Sequence, residues 1–134
     1  MDQSPEPGDI KADWSKVRPA LEEIARANPQ SWIPEDIYSE CVHGLASYFA
    51  APEGFVIAKI TRDDMNGDVS LFIWIAYSYE LGGGNVHKYM PYFEKVAVEL
   101  GCGYLETASP VPELEPYLVN AGWKVKTRVF VKEV

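Results

Sequence analysis

Apolar residues recur at helical spacing in the first third of the chain and then give way to runs in which they stand side by side. Val17, Leu21, Ile24 and Ala25 share one face of a 3.6-residue period, with Asp13 as N-cap and Asn28-Pro29 as the stop. The spacing predicts a first helix from about Trp14, and Pro19 favours an onset nearer Lys16 or Val17. Ser31-Trp-Ile-Pro-Glu-Asp36 predicts a second helix start, with a proline early and acids in the first turn. Ile37, Cys41, Leu45 and Tyr48 continue that face, and Pro52-Glu53-Gly54 ends it.

The period then changes. Phe55–Thr61 and Val69–Tyr77 are rich in β-branched and aromatic residues, which predicts two strands. Between them Asn66-Gly67 predicts a hairpin, because both residues tolerate positive φ. The second strand is almost continuously apolar, as expected for a strand covered on both faces. After Gly82-Gly83-Gly84, a helix is predicted from about Val86 to Leu100, with Val96, Ala97 and Leu100 inward and Gly101 closing it. Pro91 is expected in its first turn or at a kink. A short strand over Tyr104–Thr107, a helix over Pro112–Asn120 and a final long strand over Trp123–Val134 complete the prediction. Residues 1–12 are acidic and proline-containing, and read as a flexible arm ahead of one domain over 13–134. A sheet whose halves meet at a helix led by glycines is expected to hold a ligand cleft there.

The net charge of −8 argues against nucleic acid and against an anionic membrane surface as partners. No apolar run reaches the roughly 18–20 residues of a spanning helix, and no secretory leader is evident. Cys41 and Cys102 are far apart and are expected as free thiols, which suits a cytoplasmic location. His43 and His87 have no partner at a ligand spacing, so no metal site is expected. His87 reads as a solvent-facing residue of a first helical turn, with a phosphate contact as the alternative. Asp64-Met-Asn-Gly-Asp68 lacks the later ligands of a calcium loop and is better read as the hairpin turn.

Three stretches carry a resemblance to a known family: Leu71-Phe-Ile-Trp-Ile-Ala76, Met90 through Glu106, and Leu118-Val-Asn-Ala-Gly-Trp123. Over residues 35–134 the chain resembles the GNAT acetyltransferase superfamily, and within it the small GNAT-like proteins of phages and prophages. The resemblance implies an α/β fold: a single GNAT-like domain with a mixed central sheet, two N-terminal helices and a central helix led by a glycine loop. It further implies acetyl-CoA in a gap beside the strand that precedes the glycines, with its pyrophosphate on amides at the helix start. The family's Arg/Gln-x-x-Gly-x-Gly/Ala loop falls on Glu80-Leu-Gly-Gly-Gly-Asn85. Gly83 fits, while Glu80 stands where a cation or amide is expected and Asn85 where a small residue is expected. Tyr77, Ser78 and Tyr79 stand at the end of the central strand, where a ligand would meet it; with the resemblance, Tyr77, Tyr79, Gly82, Gly83, Gly84 and Asn85 would hold the cofactor. The family's tyrosine acid would fall at Leu118, one residue from Tyr117, and its carboxylate base at Glu80 or Glu106.

Two functions are expected from these features. The first is an acyl-CoA-dependent N-acetyltransferase with acyl-CoA and an amine acceptor as partners. The second is a non-catalytic phage virion, assembly or host-interaction protein that keeps the fold to bind a phage or host protein; its place is the host cytoplasm or the virion.

Overall fold

The two helical periods fold as α1 (Ile10–Ala27) and α2 (Pro34–Val42). In this computed structural model, which describes residues 5–79 and 85–134, α1 begins a turn earlier than the apolar period indicates. Its N-cap is Asp9, not Asp13, and the Asp9 carboxylate accepts the Lys11 amide at 2.9 Å. Asp13 is left to accept the Tyr48 hydroxyl at 2.7 Å. Pro19 lies inside α1 and does not set its start.

α2 is shorter than its face of apolar residues implied. It stops at Val42, and Gly44, at φ 76°, turns the chain. Residues Ser47–Ala51, expected to extend the helix, form a strand, β2, so Tyr48 is buried from a strand and Leu45 is left exposed. Five ladder positions with the following strand, Gly54–Arg62 (β3), outweigh the coincidence of apolar residues four apart. Pro52-Glu53, read from sequence as a helix stop, is instead the tight turn of this hairpin. Glu6–Pro7 (β1) adds antiparallel to the outer edge of β2, so the stretch expected as an arm holds a short strand and the first turn of α1.

β3 continues through a loop into β4 (Val69–Ser78). That loop is not a two-residue turn. Asp63 accepts the Met65 and Asn66 amides at 2.8 and 3.0 Å, and among the described residues only glycines, Gly67 included, take positive φ. After β4 come α3 (Asn85–Glu99), β5 (Tyr104–Thr107) and α4 (Leu114–Asn120). The sheet order is β1-β2-β3-β4-β5, antiparallel throughout except for the parallel β4–β5 pair. No helix among the described residues is long and apolar enough to cross a membrane.

The sheet separates two cores. Phe55 and Ile57 face α1 and α2 with Val17, Leu21 and Ile37; Val56 and Ala58 face α3 with Phe93, Met90 and Ala97. This two-sided burial explains why β3 and β4 read as nearly unbroken apolar runs. On α3, Ala97 and Val96 turn inward as expected, while Leu100 is exposed and Pro91 sits in the helix interior. Trp123 packs against the second core, but residues 124–134 are all exposed and form no strand. Their valines and charges alternate as a strand's would. Alternation without an apolar face to cover or a ladder to join does not fold a strand.

Gly54 stands opposite Ser78, where a Cβ would collide with the Tyr77 carbonyl oxygen. Gly54→Ala is expected to cost about 1–3 kcal/mol, and Phe93→Ala, at the centre of the second core, about 3–5 kcal/mol. Urea denaturation monitored by tryptophan fluorescence measures both.

Candidate active site

β4 belongs to two ladders of different length. With β3 it pairs from Val69 to Ser78, interrupted by a bulge where Ile57 faces Ile75 and Ala58 faces Ile73, so that Trp74 is the extra residue. With β5 it pairs only from Ser70 to Ile73, opposite Tyr104 to Thr107. The Thr107 hydroxyl donates to the Ile73 carbonyl at 2.9 Å and closes the parallel ladder at its last rung. β4 then runs on for the five residues Trp74–Ser78, held by β3, before α3 begins at Asn85. Over Trp74–Tyr77, among the described residues, β4 therefore has no parallel partner.

Tyrosines crowd the end of β4 on the side of α1. Tyr77 stacks on Phe55 with ring centroids 5.5 Å apart, and its hydroxyl donates to Glu23 at 2.6 Å. That hydrogen bond, with some burial, raises its pKa. Tyr79 meets the Tyr77 ring edge-on at 5.7 Å, and Lys16 Nζ lies 5.0 Å from the Tyr79 ring centroid. Burial first, and then the negative charge of Asp13, push the Tyr79 hydroxyl up to about 12. It stays protonated at neutral pH. This buried hydroxyl has no hydrogen-bond partner among the described residues.

A second group ties this end of the sheet to α3. Glu53, in the β2–β3 turn, accepts the Tyr89 hydroxyl at 2.9 Å and Lys88 Nζ at 3.3 Å, while its backbone carbonyl accepts the Tyr79 amide at 2.8 Å. The Tyr89 hydrogen bond, aided by Lys88, lowers the Glu53 pKa.

Of the residues expected at the site, Tyr77 and Tyr79 are brought together, at the end of β4. Glu80, Gly82, Gly83 and Gly84 lie outside the described residues. Asn85 is the first residue of α3; its side chain, like that of His87, lies outside the description. Tyr117 is half-exposed on α4, a helix with no buried residue. Glu106 sits on β5 and is held by Lys126 at 2.7 Å. The sequence reading missed Glu23, Glu53, Tyr89 and Thr107. The Gly54 that forces close approach to Tyr77 was a signal for the β2–β3 turn; the tyrosine–carboxylate pairs bridge distant segments and leave no local trace.

No family model and no curated protein matches the chain. Solved structures do. The ribosomal-protein-alanine N-acetyltransferase from Brucella melitensis biovar Abortus superposes with a TM-score of 0.71 at 19% identity, covering 98% of both chains. Aminoglycoside N-acetyltransferase AAC(6')-Iy, solved in complex with CoA, gives 0.72 at 14% identity over 98% of this chain and 93% of that one. An acetyltransferase from Trypanosoma brucei gives 0.72 at 14% identity over 99% of this chain and 100% of that one. This chain has the GNAT fold. Among the described residues the fold has four helices and five strands, and the likeness extends over nearly the whole chain, including the N-terminal segment that the sequence motifs did not reach.

The unpartnered Tyr79 hydroxyl is a cost to the free GNAT domain. Tyr79→Phe removes it without removing the ring, and is expected to raise stability by about 1 kcal/mol. Thermal denaturation of the ligand-free variant against the parent measures this; a marked loss of stability would mean the hydroxyl is already satisfied.

Proposed function

We propose that the protein is an acyl-CoA-dependent N-acetyltransferase acting on an amine. The observation that carries this reading is the stretch Trp74–Tyr77, where β4 outruns its parallel partner. A strand edge offers amide N–H and C=O groups to the amide-bearing arm of an acyl-CoA, in the way it would pair with another strand. The fold neighbours support the reading, one of them solved with CoA and two described by the amine they acetylate.

In this proposal the backbone amides of Gly82, Gly83 and Gly84, with the start of α3 at Asn85, receive the pyrophosphate. Acetyl-CoA supplies the activated acetyl group; the chain's residues position it and the acceptor. Tyr79 carries a proton it does not give up at neutral pH and is a donor for a ligand at the end of β4. Tyr77, fixed by Glu23 and Phe55, walls the same end. Attack by the amine forms the C–N bond and breaks the C–S bond, so the leaving sulfur needs a proton and the amine must lose one. Tyr117 is the candidate donor and Glu80 the candidate acceptor. A Glu80 carboxylate turned instead toward the phosphates, about 5 Å from one, would cost about 1–3 kcal/mol of binding.

Acetyl-CoA is expected to raise the melting temperature, with calorimetry giving one site per chain. No shift at millimolar concentration would end this reading and leave a non-catalytic binding role, the other function expected from the sequence. Tyr79→Phe should weaken binding by roughly fivefold while stabilising the free protein, and Glu80→Gln should tighten it by roughly tenfold. With an accepted amine in hand, Tyr117→Phe is expected to lower kcat about a hundredfold with KM for acetyl-CoA unchanged.

A further inference from the structure

A cavity of about 490 Å³ opens between α2 and the sheet, a size that small ligands fill. Trp32, Asp36 and Glu40 line it from α2 and the residues leading into it, Lys59 and Trp74 from β3 and β4. The bulge in β4 explains the indole. Ile73 belongs to the core under α3 and Ile75 to the core under α1 and α2, and the extra residue, Trp74, packs on the side of Ile75. Lys59 follows Phe55 and Ile57 on that same side, a charge where the alternation of β3 calls for an apolar residue.

The Lys59 ammonium marks what the cavity can hold. Its Nζ stands 3.9 Å from the centroid of the Trp74 ring and 3.5 Å from a Glu40 carboxylate oxygen. A ring face with a carboxylate beside it attracts an ammonium in two ways that a neutral group does not feel. Yet the pair is loose. A tight ammonium–carboxylate hydrogen bond is about 2.7–2.9 Å long. Both side chains also keep part of their surface in solvent, 27% for Lys59 and 31% for Glu40. A tie that served only to fasten α2 to the sheet has no need of open space around it, and this one borders a cavity. Asp36, four residues before Glu40 on α2, lines the same space, so two carboxylates stand there against one ammonium.

We propose that this cavity binds a small alkylammonium ligand, and that Lys59 is its internal occupant, displaced when the ligand enters. The lysine stem is flexible and its head is strongly hydrated, so it can turn out into solvent. The incoming ammonium then takes the place over Trp74 and beside Glu40, which a neutral molecule of the same length does not compete for. The inference does not depend on acyl-CoA binding, and no cofactor enters its test.

n-Butylamine, protonated at neutral pH, is the lysine stem and head as a free molecule; n-butanol is the neutral control. Binding is read from tryptophan fluorescence and melting temperature at matched ionic strength. Lys59→Ala vacates the position, and is expected to bind n-butylammonium about tenfold more tightly than the parent chain does. Its melting temperature should rise with n-butylammonium and not with n-butanol. Adding Glu40→Gln to Lys59→Ala should weaken that binding about tenfold. Lys59→Gln keeps a polar side chain on β3, should share the gain in affinity, and carries the test if the alanine variant does not fold. Equal affinity in the parent and the folded Lys59 variants overturns the displacement. No binding to those variants, or an equal response to n-butanol, overturns the site itself.

Discussion

The structure turns on β4 having two neighbours of unequal reach. β3 supports it along its whole length, and β5 only through its first four paired residues. An antiparallel hairpin can match its strands end to end. A parallel neighbour, delivered by a crossover helix, starts and stops where that helix and its loops allow. The bulge at Trp74 bends β4 at the point where the shorter ladder gives out, and the Thr107 hydroxyl ends that ladder on the Ile73 carbonyl. The unequal reach of the two ladders is thus built into the sheet by topology.

Around that edge the polar side chains belong to structure as much as to any ligand. Glu23, Asp13 and Glu53 each take a tyrosine hydroxyl, fixing Tyr77, Tyr48 and Tyr89 between helix and sheet. Burial and the carboxylate neighbours both keep these phenols protonated. Tyr79 differs from them in having the same surroundings without an acceptor. A protein that buries a donor without a partner gives up stability, and such deviations concentrate where something else is meant to complete the bond.

Much of this was legible from residues alone because the two cores impose their periods strongly. Helices α1 and α3, both long strands, β5 and α4 follow from apolar spacing, and the order of elements led to the fold. The failures have physical causes. Tyr48 and Leu45 continued a helical face by spacing, but pairing with β3 is a non-local gain that no local period reports. Asp13 and Asp9 are equally good caps in sequence, and the bond from Tyr48 to Asp13 separates their roles. Residues 123–134 alternate like a strand but join no ladder among the described residues. Tyr77 and Tyr79 were expected together from their place at a strand end, whereas the carboxylates that hold Tyr77 and Tyr89 come from the first helix and a hairpin turn.

Glu53 moors both ends of the connection between β4 and α3: its carbonyl holds Tyr79 on one side, and its carboxylate holds Lys88 and Tyr89 on the other. A chain segment whose two feet are tied to one post is already closed before its own residues contribute anything. Lengthening such a span costs only slowly, with the logarithm of its length. The end of β4 and the first turns of α3 are therefore joined through Glu53 as well as through the chain, so their mutual position does not rest on the connection alone.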